Sequence, residues 1–188
     1  MGKLIIVSHP EVVIDPGTEI TDWGLSEIGR RRATAFAQSD VVAATRAIWS
    51  STEAKAVETA DILAAALDLS FTTEAALGEN DRSATGFLPR DQFELAADAF
   101  FANPKISYQG WETAVAAQAR IRRSVGSIVG AHDHGDLVIV THGAVGTLLW
   151  CHYAGAPIDR KFDQPGQGHY WIADLETLKP ECGWRALK

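Results

Sequence analysis

Two short apolar runs in this chain end in the same way. KLIIVSH (3–9) and LVIVTH (137–142) each carry four consecutive apolar residues, then a small hydroxyl residue, then a histidine. An uninterrupted apolar run of this length predicts a strand covered on both faces. Between them the period changes. LSEIGRRRATAFAQS (25–39) reads as a helix with Ser26 as its N-cap, and RAIWSS (46–51) as a second strand. In TEAKAVETADILAAALD (52–68), Ala56, Thr59, Ala60, Leu63 and Leu67 recur at helical spacing. LSFTTEA (69–75) predicts a third strand.

The polar stretch ENDRSATGFLP (79–89) predicts a loop. RDQFELAADAFFAN (90–103) predicts a helix that stops before Pro104. GWETAVAAQARIRRSVGSIVGA (110–131) predicts a long helix with Val115, Ile121, Val125, Ile128 and Val129 on its apolar side, followed by a turn at HDHGD. GAVGTLLWCHYAG (143–155) predicts a buried helix closed by Gly155, with Pro157 just beyond. GHYWIADLE (168–176) and GWRALK (183–188) predict two final strands, as a hairpin or a sheet edge. This alternation indicates an α/β fold, a three-layer sandwich whose mostly parallel central sheet carries helices on both faces. With no internal repeat and no linker, a single domain over residues 1–188 is expected, which suits a chain of 188 residues.

Composition narrows the chemistry. Apolar residues are 46% and charged residues 22%, ordinary values for a globular protein. The net charge of -7 argues against nucleic acid as a partner. It also means that an anion must be held by a local positive pocket rather than drawn in by a long-range field. Cys151 and Cys182 form no CxxC pair, so neither a zinc site nor a disulfide framework is expected. No signal-peptide core and no run long enough to span a membrane is present, and the expectation is a reduced, cytoplasmic protein without membrane contact.

Ligands of an open parallel sheet bind outside the carboxyl ends of its strands. His9 and His142 both fall there. Ser50 and Ser51 end the second strand at the same edge, Lys55 lies on the first turn of the next helix, and Glu79 follows the third strand. Two imidazoles, an ammonium and helix N-terminal N–H groups suit a phosphoryl group: a neutral imidazole attacks phosphorus and the donors stabilise its oxygens. A carboxyl such as Glu79 can protonate the leaving oxygen and then activate water. Taken singly, each of these residues has an ordinary structural role, and only their convergence argues for a site. His132 and His134 suit a solvated turn better than a metal, and zinc on His9, His142 and Glu79 has no local ligand motif. Asp163, His169 and PGQGHYW suit a turn into a strand. Phe87, Leu88, Phe93, Phe100 and Phe101 suit the core better than a substrate cover.

In the order of its motifs the sequence resembles the histidine phosphatase superfamily, with its phosphoglycerate-mutase-like fold. The strand and Ser8-His9-Pro10 stand where the family has Arg-His-Gly. Trp23, Leu25, Ser26, Gly29 and Ala33 resemble its first helix. Ser50-Ser51-Thr52, Lys55-Ala56 and Glu58-Thr59-Ala60 match its Ser-Ser-Pro, Arg-Ala, Gln-Thr-Ala spacing. Leu77-Gly78-Glu79, Gly110-Trp111-Glu112-Thr113 with Arg120, and His142-Gly143 follow in order. The resemblance covers roughly residues 3 to 150. It implies a metal-independent phosphatase without cofactor, acting on a phosphorylated small molecule or a phosphoprotein. His9 would be the phosphate acceptor, Glu79 the acid, and His142, Lys55, Ser8, Gly143 and backbone N–H groups the phosphate cradle.

The departures fall on the site. Ser8 and Lys55 replace arginines, and neither offers the bidentate guanidinium fork. Pro10 replaces a glycine and removes an N–H. Arg82, or less favourably Arg90, is the candidate replacement guanidinium; otherwise Arg82 is a surface arginine paired with Asp81 or Glu79. The alternative function is a phosphate- or phosphoprotein-binding module that kept the fold and lost turnover.

Overall fold

A computed structural model describes residues 2–188. β1 (Lys3–Ser8) and β4 (Asp136–Thr141), the two apolar runs, lie parallel and adjacent at the centre of a six-stranded sheet, with Ser8 opposite Thr141. β2 (Thr45–Ser50) pairs parallel with β4 on its other side, and β3 (Phe71–Thr73) extends the sheet beyond β2. β5 (His169–Asp174) runs antiparallel to β1 and β6 (Arg185–Ala186) antiparallel to β5. The sheet order is therefore β3-β2-β4-β1-β5-β6.

The apolar runs are continuous because both faces of these strands are covered. Ile5 and Val7 of β1 and Val138 and Val140 of β4 pack with Phe36, Ala60 and Leu63, from α1 (Glu27–Ala37) and α2 (Ala54–Leu67). Leu4, Ile6, Leu137 and Ile139 point to the opposite face. They pack with Phe100, Ile121 and Leu148, from α3 (Arg90–Ala102), α4 (Ala114–Gly130) and α5 (Gly143–Tyr153). Three layers result. Each fully buried Leu or Ile contributes about 1.5–3 kcal/mol of transfer free energy, which makes the central strands the anchor for whatever their ends carry.

The local signals act largely as read. Ser26 Oγ accepts the Gly29 N–H at 3.1 Å and starts α1. Gly29 is required by close approach: a Cβ there would lie 2.1 Å from the Glu11 carbonyl oxygen. Gly155 adopts φ 64° just beyond α5. The long helix differs from its expected start. Gly110 has φ 90°, outside the helical region, and the helix begins at Ala114 with Thr113 accepting the Ala116 N–H. Trp111 is instead buried in the preceding loop and donates to Thr85 Oγ1 at 2.9 Å. Val115, expected on the apolar side, is exposed, because the core-facing stripe runs through Ala114, Ala117, Ile121 and Val125. Among the described residues no helix is long and apolar enough to cross a membrane.

Candidate active site

His9 is the first residue past β1, held by its own N–H to the Thr141 carbonyl at 3.2 Å. Its Nδ1 lies 2.9 Å from the Pro10 carbonyl oxygen. A carbonyl only accepts, so Nδ1 carries the proton and Nε2 keeps its lone pair. Burial, the neighbouring His142 ring and the Lys55 cation hold the His9 pKa down at about 3 despite that bond. His9 is a neutral imidazole at any ordinary pH, the form that can attack.

His142 occupies the equivalent place after β4. The two rings stand edge to face with centroids 5.2 Å apart. His142 is fully buried, with Nε2 at 2.9 Å from Ser51 Oγ and 3.2 Å from Glu53 Oε1. Its Nδ1 is buried with no partner. Burial first, then the cations Lys55, Arg82 and Arg120, push its pKa well below the usual histidine value.

The end of β2 brings the next groups. Ser51 N–H bonds the Val140 carbonyl at 2.9 Å, aligning β2 with β4, and Ser51 Oγ accepts the Glu53 N–H. Lys55 reaches the site from the first turn of α2, almost wholly buried. Its Nζ donates to Glu53 Oε2 at 2.5 Å and to the Ile20 carbonyl at 2.7 Å. The lysine's charge is thus already compensated by a carboxylate.

Glu79 lies in the loop after the turn Ala75–Leu77. Its carboxylate accepts the Ala144 and Val145 N–H groups at 3.2 and 3.1 Å, capping α5, and the Asn80 N–H at 3.1 Å. Burial raises its pKa in spite of Arg82 nearby, favouring a carboxyl that can donate a proton. The loop is pinned by Arg120, which donates to the carbonyls of Ala76, Gly78 and Glu79 and pairs with Glu112 at 2.8 Å. Arg120 thereby positions Glu79 without lining the cleft.

His9, Lys55 and Glu79 border a cleft of about 710 Å³ whose lining also includes Ile20, Trp23, Arg82, Arg90, Phe93 and Gly143, with the fully buried His142 packed behind His9. Arg82 stacks over the Phe93 ring at 5.0 Å and has no carboxylate within ion-pair distance among the described residues, neither Asp81 nor Glu79. Arg90 lines the same cleft from an exposed position at the start of α3. Gly143 opens α5, where its N–H has no intrahelical acceptor.

Ser8 is placed differently from the rest. It is fully buried, takes the His169 N–H at 3.0 Å, bonds the Gln164 side chain and does not line the cleft. Its position is a structural tie between β1 and β5 rather than part of a cradle. Phe87, Phe93, Phe100 and Phe101 divide: Phe100 and Phe101 are core residues that also touch the cleft, whereas Phe87 is exposed and tilts against Trp23 with centroids 5.8 Å apart. His132 Nε2 is occupied by the Gly135 carbonyl at 3.0 Å. Among the described residues no group of three or more His, Cys, Asp and Glu is arranged for a metal ion.

Two site residues escape the sequence reading. Glu53 touches His142, Lys55 and the Glu79 N–H, the last at 2.8 Å. Its only sequence signal is a carboxylate two residues before a lysine that the fold buries. Gln164 lies between Asp163 and the PGQGHYW segment, and it and Asp163 both line the cleft. A Cβ on Gly143 would lie 2.4 Å from Gln164 Nε2, so the glutamine amide fills the space beside the α5 N-terminus.

This geometry can do one kind of chemistry well. It offers a neutral nucleophilic nitrogen, a buried carboxyl, a free guanidinium and an open helix N–H around one cleft. Solved structures share the fold. A mycobacterial glucosyl-3-phosphoglycerate phosphatase in complex with inorganic phosphate is 20% identical, with 100% of this chain and 99% of that one covered at a TM-score of 0.82. YhfR of Bacillus stearothermophilus is 23% identical, covering 98% and 96%, at 0.80. A phosphoserine phosphatase of Entamoeba histolytica in complex with 3-phosphoglyceric acid is 17% identical, covering 99% and 98%, at 0.75. No curated protein matches the chain by sequence. The model of the histidine phosphatase superfamily (branch 1) matches residues 4–177, and the chain belongs to that superfamily.

Proposed function

We propose that this protein is a phosphatase that hydrolyses a phosphomonoester through a phosphohistidine on His9. The observation that carries the reading is the His9 tautomer: the proton is fixed on Nδ1 by the Pro10 carbonyl, so the Nε2 lone pair remains for phosphorus. In the first step Nε2 attacks phosphorus, and the bond to the leaving oxygen breaks as Glu79 protonates that oxygen. In the second step Glu79, now a carboxylate, takes a proton from water as the water attacks phosphorus, and the P–Nε2 bond breaks to release phosphate and restore the neutral His9. Arg82 supplies the guanidinium that faces the phosphoryl oxygens, and His142 and the Gly143 N–H complete the cradle. The phosphatases of similar fold act on or hold small phosphorylated metabolites. A small phosphorylated molecule is therefore the favoured substrate class over a phosphoprotein.

One observation favours the second reading, a binding module without turnover. Lys55 is neutralised by Glu53, and position 8 carries no charge, so the site holds less positive charge than two arginines would give. Hydrolysis of an aryl phosphate from about pH 5 to 8, beside His9→Ala, separates the two. Release by the wild type alone, with acid-labile phosphate on His9, supports the phosphatase. Phosphate binding without release by either protein supports the module.

A further inference from the structure

We propose that Glu53 is a positioning residue that makes His142 the acceptor of the substrate's phosphoryl proton. The inference deepens the phosphatase reading and rests on it. Glu53 is nearly buried, and its carboxylate touches three members of the site. Oε1 lies 3.2 Å from His142 Nε2 and takes the Glu79 N–H at 2.8 Å, and Oε2 takes Lys55 at 2.5 Å. A carboxylate only accepts, so the His142 proton is on Nε2, shared between Glu53 Oε1 and Ser51 Oγ. The other nitrogen of the ring, Nδ1, is then a lone pair. It is buried with no protein partner, in a ring whose centroid is 5.2 Å from that of His9.

A bare lone pair beside the nucleophile repels a phosphate dianion and fits a P–OH group. The substrate therefore enters as the monoanion. Its P–O–H bond breaks and an Nδ1–H bond forms. The phosphoryl group becomes the dianion, His142 becomes the imidazolium, and no other reactant is consumed. Nδ1–H then donates to a phosphoryl oxygen while Nε2–H remains on Glu53. When product phosphate leaves, it takes the proton back.

The groups facing His142 set the balance. Burial first, then Lys55, Arg82 and Arg120, oppose a second proton, and the neutral His9 adds none. Glu53 and the bound dianion favour it, and Glu79, whose N–H Glu53 also holds, is the acid lining the same cleft. In the empty site burial and the cations win; the entering phosphoryl group reverses the outcome only because Glu53 already holds Nε2–H. Lys55 serves this arrangement by holding the Glu53 carboxylate in place, which accounts for a cation spent on a carboxylate inside an anion site.

The test is nitrogen NMR of the histidine-labelled protein, with His142 assigned by its loss in His142→Asn. In the free wild type His142 should carry a proton on Nε2 alone. Saturating inorganic phosphate near neutral pH should add the second proton on Nδ1. In Glu53→Gln that second proton should vanish or need a pH lower by about one unit, and Glu53→Asp should restore it. In parallel, kcat/KM for an aryl phosphate should fall above the second pKa of the phosphate, near about 6. A free-state proton on Nδ1, no second proton with phosphate, or a Glu53→Gln protein that behaves as wild type overturns the proposal. The wild-type spectra decide the matter even if the variant fails to fold. Appearance of the second proton without any aryl phosphate turnover overturns the phosphatase reading instead and leaves the role of Glu53 standing.

Discussion

Ser8 and Gln164, 156 positions apart in the chain, are bonded side chain to side chain, and only the glutamine of the two lines the cleft. The serine also takes the His169 N–H, so β1, β5 and the loop before β5 meet at one hydroxyl. The space into which an arginine at position 8 would reach is the space Gln164 occupies.

Ser8→Arg should therefore harm the protein rather than improve its grip on phosphate. The position is fully buried, and the guanidinium must displace the glutamine. Overpacking alone costs about 1–3 kcal/mol, and an unpaired buried charge adds to it. The urea midpoint should fall, and phosphate affinity should not rise. Removing Gln164 as well, in Ser8→Arg with Gln164→Gly, should recover part of the loss, giving a non-additive cycle. A stable Ser8→Arg with tighter phosphate binding would show that the glutamine moves freely aside.

Glu79→Gln should separate the two chemical steps. Burial raises the carboxyl pKa, and the proposed mechanism makes the group the proton donor of the first step. With a poor leaving group such as an alkoxide, turnover should drop by about 10²–10⁴-fold. With a dinitrophenyl phosphate the leaving group needs no proton, so phosphorylation of His9 should survive. Water activation should not, and a burst of dinitrophenol followed by slow release is the expected trace. Equal losses for both substrates, with no burst, would remove Glu79 from both roles.

Arg120→Ala should cost both stability and rate, though the residue does not reach the cleft. It holds three carbonyls of the loop that carries Glu79 and pairs with Glu112. Charged hydrogen bonds contribute about 1.5–3 kcal/mol each before relaxation. With the side chain partly exposed, a net loss of about 2–3 kcal/mol by urea unfolding is expected. Arg120→Lys, which can reach only part of the set, should fall between.

Stability should decrease as pH falls below the ordinary histidine value of 6.5 toward about 3, where folded His9 finally takes a proton. The sign follows from proton counts: the unfolded chain binds a proton on residue 9 that the folded chain refuses, so acid favours unfolding. His142, lowered for the same reason, acts in the same direction, while Glu79, with its raised pKa, acts against them. Comparing wild type with His9→Gln isolates the His9 share. The variant's stability curve should be flatter between about pH 6.5 and 4. Parallel curves would mean that His9 titrates normally.

Much of this molecule is readable from its sequence because the signals are local. Apolar runs covered on both faces mark β1 and β4. Ser26 marks the start of α1, and Gly155 the end of α5. Since parallel strands place their carboxyl ends together, the meeting of His9 and His142 follows from two short runs and a rule of topology. The start of α4 was less readable. The run from Gly110 reads as helix, and only the φ of 90° at that glycine and the Thr113 cap show that the helix starts at Ala114.

Side-chain partners across the chain were decided by the tertiary structure alone. Ser8 reads as the residue beside a nucleophile, yet its hydroxyl turns to β5 and Gln164, because β5 closes against β1 on that side. Lys55 reads as a phosphate ligand, yet burial demands a counter-charge, and Glu53 provides it. Arg82 reads equally as a partner of Asp81 or as a free cation. Its seat over Phe93, on an element packed from elsewhere, leaves it free. Sequence specifies backbone conformation through near neighbours and periodicity, and so determines which residues reach the sheet edge. The charge and proton state of each group there depend on burial and on partners tens of residues away, and those distances exist only once the chain has folded.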